Sequence, residues 1–526
     1  MNLFQSVVCN GQTNGPLILT PLLEKNQTKE AQEAAQVKNK QLFGDIISYS
    51  GYFTVNKRFN SNTFFWFFPS ENNWKKDPVL LWLNGGPGST SLFGLFIENG
   101  PFNVISNSSV QIRKYRWTKT YSVIYIDNPV GVGYSFTKKG GRPNNQFGFG
   151  EHLYSAVVQF FQLFPELKNN DFYLTGESYA GKYLPALALQ IEQKSTGSNK
   201  INLKGLIIGN GFFMPKHLIS RVVEFVYAVG LLDEHQKFEV DLLKEIIINC
   251  INFQLWTLAT KFTLRLNSLV ANYSGYNVIF NIAQPKGSTT EQEVLMNSFL
   301  QREDVKKAIH VQNITFNVFK FEINVQDFLE DLMKDVAAWI EQLLNKYPIL
   351  FYTGHWDIVA TYIGTTTALR SLNFIGSHKY RTAKRRFWYV DGELAGYIKE
   401  GGNLKEALIR NAGHMAPADQ PLWTYKLITS FINNHSNILT TICRHERESL
   451  EFIELTSEDE DHTDVATEIN NAIVTKVLNS KIEGGINSNV ANDAGSDIPT
   501  MNTEEVYFLI IYKLLITYLI SKLATF

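Results

Sequence analysis

Short apolar runs punctuate the chain up to about residue 435, and most of them run into Gly, Asn or Asp. They fall at 63–68, 79–83, 122–126, 171–174, 203–208, 347–352 and 386–390. The first contains FFWFF and the second reads VLLWL. Such near-continuous runs suit strands covered on both faces. Helical spacing lies between them at 151–163, 182–193 and 337–345. Alternating strands and helices predict an α/β sheet, mostly parallel. Between residues 211 and 335 the rhythm breaks into a mostly helical pattern, read as an insertion that caps the sheet. The expected division is an N-terminal segment at 1–40, two halves of one core at 41–211 and 336–435, and the helical cap at 212–335.

The last 91 residues depart from this pattern. Residues 445–505 hold 15 acidic and 3 basic side chains, a net of −12, so the formal charge of −1 hides a body near +11. The span 436–505 is expected to be a flexible acidic tail, with a solvated helix at 446–460 as the alternative. Residues 506–526 (VYFLIIYKLLITYLISKLATF) then match a membrane span in length. Lys513, Thr517 and Ser521 recur every four residues and would stripe a helix with polarity, which suits an interfacial or packed amphipathic helix. The small residues Ala494, Gly495 and Ser496, a polar spacer and an apolar end also fit a lipid-anchor signal. Membrane contact through 506–526 is therefore an expectation with three forms. At the other end, MNLFQSVVCN has no basic residue, and Gln5 and Ser6 break its short apolar run, so it does not read as a secretory signal. Asn-x-Ser/Thr sites at Asn26, Asn107, Asn272, Asn313 and Asn434 are about as many as this composition yields by chance.

Composition narrows the class. At 44% hydrophobic and 19% charged, the 526 residues can bury a large core. The balanced charge gives no footprint for nucleic acid. Cys9, Cys250 and Cys443 exclude a disulfide scaffold and allow one bridge at most. No metal and no cofactor is expected.

Candidate chemistry begins at Gly176-Glu177-Ser178-Tyr179-Ala180-Gly181, which follows an apolar strand and precedes a helical segment. A nucleophile elbow needs this order, because the serine sits on a tight turn that only very small neighbours tolerate. Serine needs a base, and the base needs a carboxylate to orient it. In α/β hydrolases these follow in the order Ser, acid, His. Asp357 lies just past the run 347–352, and His414 follows an apolar run and Gly413, so Ser178, Asp357 and His414 fit. His355 is the competing base, although it lies only two residues from Asp357. Gly85 and Gly86, after VLLWL and Asn84, offer backbone N–H groups for an oxyanion, or make an ordinary tight turn. Glu98 and Glu177 remain. Two carboxyls held close cannot both ionise easily, and a protonated pair can bind another carboxylate, but nothing local brings these two together.

Taken together, the motifs resemble the serine carboxypeptidase family, and most closely its vitellogenic-like branch. They are WLNGGPG at 82–88 with Ser91, GLFIENGP at 94–101, YIDNPVGVGYS at 125–135, GESYAGKY at 176–183, GNG at 209–211, GHWD at 354–357 and GHMAPADQP at 413–421. FTVNK at 53–57 and NTFFWFFP at 62–69 extend the likeness, which covers about 15–434 and is weakest at 250–297. The resemblance implies an α/β-hydrolase fold with a helical cap, and exopeptidase action on peptides or proteins with a free C-terminal carboxylate, best at acidic pH. It implies Ser178 as nucleophile, His414 as base and Asp357 as orienter. Gly86 and Tyr179 would supply oxyanion N–H groups, and Asn84, Glu98 and Glu177 would bind the substrate carboxylate. A secretory, lysosomal or extracellular destination is implied in the same way. Two departures matter. Ser89 stands where the family often has Cys, and Cys250 is alone in the cap region, so a bridged cap is not expected. An acyltransferase or esterase on the same fold, and a non-catalytic binding role, are the competing functions. Glu98 and Glu177 together favour the peptidase. The sequence does not set the oligomeric state.

Overall fold

The computed structural model describes residues 15–197, 200–276, 280–284, 290–317 and 328–435. The chain divides into two units, Met1–Thr440 and Thr441–Phe526. The expectations for 436–505 and 506–526 lie outside the described residues, and all that follows concerns the first unit.

Twelve strands occur among the described residues: β1 Tyr49–Asn56, β2 Ser61–Phe68, β3 Val79–Leu83, β4 Phe102–Ser106, β5 Ser109–Ile112, β6 Ser122–Ile126, β7 Phe172–Glu177, β8 Leu203–Gly209, β9 Ile349–Gly354, β10 Arg386–Val390, β11 Glu393–Gly401 and β12 Leu404–Ile409. Ten of them form one sheet in the order β1-β2-β6-β3-β7-β8-β9-β12-β11-β10, and β4 pairs with β5 apart from it. The six central strands, from β6 to β12, are parallel. Antiparallel strands close both edges.

The unbroken apolar runs are explained by two cores, one on each face. Along β3, Val79, Leu81 and Leu83 enter one cluster while Leu80 and Trp82 enter the other. Phe65 and Phe67 of β2, and Ile349 and Phe351 of β9, join the first; Phe64, Trp66, Leu350 and Tyr352 join the second. Each fully buried side chain of this size contributes about 1.5–3 kcal/mol. The helices Gln146–Leu163 and Ala180–Lys194 cover the first face, and Pro421–His435 covers the second. Leu19, Leu23, Ala31 and Ala35, from the short helices near the start of the chain, also pack into the first cluster.

The run 386–390 forms a strand, but it is not covered on both faces. β10 is the last strand of the sheet, and Phe387 and Tyr389 are 70% and 53% exposed. Between β8 and β9 the described residues hold helices and no strand, including the mutually packed Glu234–Asn252 and Trp256–Ser274. Further along, Thr290–Leu300 returns to the sheet and places Met296, Phe299 and Leu300 in the second cluster. Cys250 is buried, and it has no disulfide partner among the described residues. No described helix is long and apolar enough to cross a membrane.

Candidate active site

Parallel strands present their carboxyl ends on one side of the sheet, and ligands bind there in open α/β folds. β7, β9 and β12 lead into Ser178, Asp357 and His414 respectively. Ser178 occupies the turn between β7 and the helix Ala180–Lys194, with φ at +60°. A non-glycine residue there costs on the order of 1–3 kcal/mol and persists only when its surroundings hold it. Here the Ser178 N–H donates to Gly209 O at 2.9 Å, and Ser178 O accepts from the N–H groups of Gly181 (2.9 Å) and Phe212 (2.8 Å). The elbow also presses against its neighbours. A Cβ on Gly176 would lie 2.4 Å from Leu83 O, and one on Gly85 would lie 2.3 Å from Tyr179 N. Those two positions admit only glycine.

Asp357 is wholly buried, and its Oδ2 lies 2.8 Å from His414 Nδ1. The carboxylate also accepts from Asn210 Nδ2 at 2.8 Å and from the Val359 N–H at 2.8 Å. The His414 N–H donates to Phe280 O at 2.6 Å, and the Phe280 ring stacks on the imidazole at 5.2 Å. His355 stacks on Trp356 instead, 4.4 Å away, and burial lowers its pKa. Among the described residues the imidazole hydrogen-bonds to Asp357, and the Ser178 hydroxyl makes no hydrogen bond to His414. Among the described residues, neither the N–H of Gly86 nor that of Tyr179 has an acceptor.

Next to the elbow, three side chains converge. Asn84 Oδ1 accepts from Trp82 Nε1 at 2.8 Å and from the Gly94 N–H at 2.9 Å, which fixes the orientation of its amide. Its Nδ2 then donates to Glu98 Oε1 at 2.8 Å and to Glu177 Oε1 at 3.1 Å. Glu98 ends a single π-helical turn, Gly94–Glu98, and is fully buried, while Glu177 ends β7. Burial, then the charge of Glu98 and a hydrogen bond to it, push Glu177 well above the usual carboxylate range, and Asp357 adds to the effect. Burial raises Glu98 as well, opposed by hydrogen bonds from Glu177 and Asn84 and by the charges of His414 and Arg113. A proton shared between the two carboxyls is the state this environment favours. The Oε2 atoms of Glu98 and Glu177 have no partner among the described residues.

The structure pairs Asp357 with His414, and Asn84 with Glu98 and Glu177 next to the elbow that carries Ser178 and Tyr179. It gives contacts to Trp82 and Asn210, which the motifs at 82–88 and 209–211 contain without assigning them a part, and adds Phe280, which lies in no motif. Among the described residues, no group of three or more His, Cys, Asp or Glu side chains is placed to hold a metal ion.

A strand-borne serine elbow and an imidazole–carboxylate pair at the carboxyl ends of a parallel sheet define an α/β hydrolase of the serine type. Residues 40–434 match the family described as serine carboxypeptidase. The chain is 43% identical over 430 residues to the venom serine carboxypeptidase of Apis mellifera, covering 80% of this chain and 91% of the relative. It is 40% identical over 438 residues to the vitellogenic carboxypeptidase of Aedes aegypti, covering 82% and 92%. Its fold matches the crystal structure of Kex1Δp, a prohormone-processing carboxypeptidase from Saccharomyces cerevisiae, with a TM-score of 0.69 at 21% identity, over 77% of this chain and 96% of that one. The chain belongs to the serine carboxypeptidase family. It is a serine carboxypeptidase, acting on peptides, and the acyltransferase or esterase alternative is not favoured.

Proposed function

We propose that Ser178, His414 and Asp357 are the catalytic triad, that Gly86 and Tyr179 supply the oxyanion donors, and that Asn84, Glu98 and Glu177 grip the substrate's terminal carboxylate. Ser178 Oγ adds to the carbonyl carbon of the last peptide bond and its proton passes to His414. The carbonyl oxygen, now an anion, is received by the N–H groups of Gly86 and Tyr179. His414 returns the proton to the leaving amino group, and the terminal amino acid departs from an acyl-enzyme. Water then attacks the ester by the same route in reverse. Asp357, bonded to His414 Nδ1 at 2.8 Å, orients the ring and offsets its charge.

The observation that carries the exopeptidase reading is the buried Asn84–Glu98–Glu177 cluster against the elbow. A glutamate pair holding a proton donates to a carboxylate; a doubly ionised pair repels it. Acidic pH therefore favours binding. The experiment that tests the nucleophile is labelling with a fluorophosphonate. Labelling at Ser178, lost in Ser178→Ala, is expected; a label elsewhere contradicts the assignment.

A secretory destination, lysosomal or extracellular, rests on the family and on a relative named for venom. The asparagines of all five Asn-x-Ser/Thr sites, Asn26, Asn107, Asn272, Asn313 and Asn434, are exposed, as glycan acceptors must be. The helices between β8 and β9 suit a cap over the carboxyl ends of the strands.

A further inference from the structure

Two buried ionisable groups that acyl transfer leaves unused, Lys182 and Asp331, lie next to the elbow. Lys182 is fully buried, and its ammonium donates to the carbonyl oxygens of Asp331 (2.7 Å), Leu332 (2.8 Å) and Lys334 (2.5 Å). An ammonium has three N–H donors, and all three are spent on main chain. The side chain of Asp331 serves a different partner. Its Oδ2 accepts from Gln146 Nε2 at 2.5 Å and from the hydroxyl of Tyr179, and Gln146 Nε2 also meets that hydroxyl at 3.1 Å. Asp331 is thus held twice, by its backbone through Lys182 and by its carboxylate through Tyr179. Gln146 Oε1 has no partner among the described residues, but the bonds to Asp331 and Lys182 are all made, and buried networks of this kind restrict the groups they join.

The segment so held is the return from the helical insertion. Thr260, in the helix Trp256–Ser274, donates to Leu329 O at 2.6 Å, and the Val336 N–H donates to Phe213 O at 3.1 Å. At the other end of the network, the Tyr179 ring packs edge-on to Tyr183 at 5.1 Å, with the Lys182 ammonium 5.0 Å above its face. A tyrosine side chain has few torsions, so anchoring its hydroxyl and its ring restrains its own backbone.

We propose that Tyr179 acts through its side chain as a positioning residue: Asp331, itself anchored by Lys182, holds the Tyr179 hydroxyl and thereby aims the Tyr179 N–H at the oxyanion. The return segment of the insertion becomes part of the catalytic scaffold. This rests on the reading of the Tyr179 N–H as an oxyanion donor, and it assigns that donor's alignment to groups that touch no substrate.

The test uses the full chain, a peptide with a free carboxylate, and a peptide aldehyde that adds to the Ser178 hydroxyl. Tyr179→Phe keeps the ring and the N–H and removes only the tether. It is expected to lower kcat about tenfold, part of the 10²–10³ that a whole oxyanion donor supplies, with KM nearly unchanged and aldehyde affinity falling by the same factor. Asp331→Asn is expected to shift the same quantities, and the double variant to lose no more than the worse single one, because both cut one chain of contacts. Gln146→Leu leaves Tyr179 and Asp331 in place and is expected to give a smaller fall in kcat. Unchanged kcat and aldehyde affinity in Tyr179→Phe, or single losses that multiply in the double variant, overturn the proposal. Wild-type enzyme that forms no adduct with the aldehyde instead overturns the oxyanion reading on which it rests.

Discussion

Glu98 and Glu177 accept hydrogen bonds from the same amide nitrogen, Asn84 Nδ2, at 2.8 and 3.1 Å, in a site from which both are shielded from solvent. One arrives on a π-helical turn and the other on the strand that leads into the elbow. Burial raises both, and the charge of Glu98 lifts Glu177 further. The pair is therefore a proton store next to the nucleophile, and its charge state sets what it can bind.

The first consequence concerns KM. As pH rises through the raised pKa of the pair, a second negative charge appears beside the substrate carboxylate, so KM for free-carboxylate peptides is expected to climb. Glu177→Gln cannot ionise at that position. Its KM is expected to vary less with pH, as measured by initial rates from pH 4 to 8. A profile identical to wild type contradicts the shared-proton account.

The same shift has a sign in stability. Glu177 holds its proton more tightly in the folded state than in the unfolded chain, which releases it in the ordinary carboxylate range. Folding is therefore most favoured at low pH, and this contribution is lost as pH rises through the raised pKa. Thermal melts should find Glu177→Gln more stable than wild type at pH 7.5, and much closer to it at pH 4. An equal difference at the two pH values would count against the raised pKa.

Trp82 enters the chemistry through its indole. Its Nε1 donates to Asn84 Oδ1 at 2.8 Å, leaving the Gly94 N–H as the other donor to that atom. Trp82→Phe removes a buried hydrogen bond worth about 1 kcal/mol and loosens the amide that bridges the glutamates. KM for a free-carboxylate peptide should rise several-fold while kcat changes less. An unaltered KM means the indole only fills space.

Asn210 shares one oxygen of Asp357 with His414. Its Nδ2 meets Asp357 Oδ2 at 2.8 Å, the same oxygen that meets His414. Asn210→Ala leaves that buried carboxylate short of a donor, at a cost of about 1–3 kcal/mol. Denaturant unfolding should report that loss, and kcat should fall with it. Wild-type stability in this variant would mean that water or a rearranged neighbour replaces the amide.

The elbow was legible in the sequence because its demands are local: a strand, a turn with only small neighbours at Gly176 and Ala180, and a helix. The choice between His355 and His414 was not local. It depends on β12 lying beside β9 with Ile409 opposite Gly354, which brings the loop after one strand to the loop after the other. Convergence of Glu98 and Glu177 was equally hidden, since Asn84 links them only once β3 and β7 pair, with Leu83 opposite Gly176. β11 is absent from the expected strands and β12 shows only as the short apolar run before His414, because Lys399, Glu400, Lys405 and Glu406 break their apolar pattern. The stacking of Phe280 on His414 comes from the region between β8 and β9, where spacing says nothing about contacts across the cleft.

The most direct test of the central claim is the ratio of kcat/KM for a peptide with a free C-terminal carboxylate to that for its C-terminal amide, measured at pH 5 and again at pH 8. Loss of the hydrogen bonds between the glutamate pair and a charged carboxylate, each worth about 1.5–3 kcal/mol, predicts a preference on the order of 100-fold at pH 5. That preference should shrink as the pair ionises toward pH 8. Equal cleavage of the two peptides at pH 5 would contradict the account.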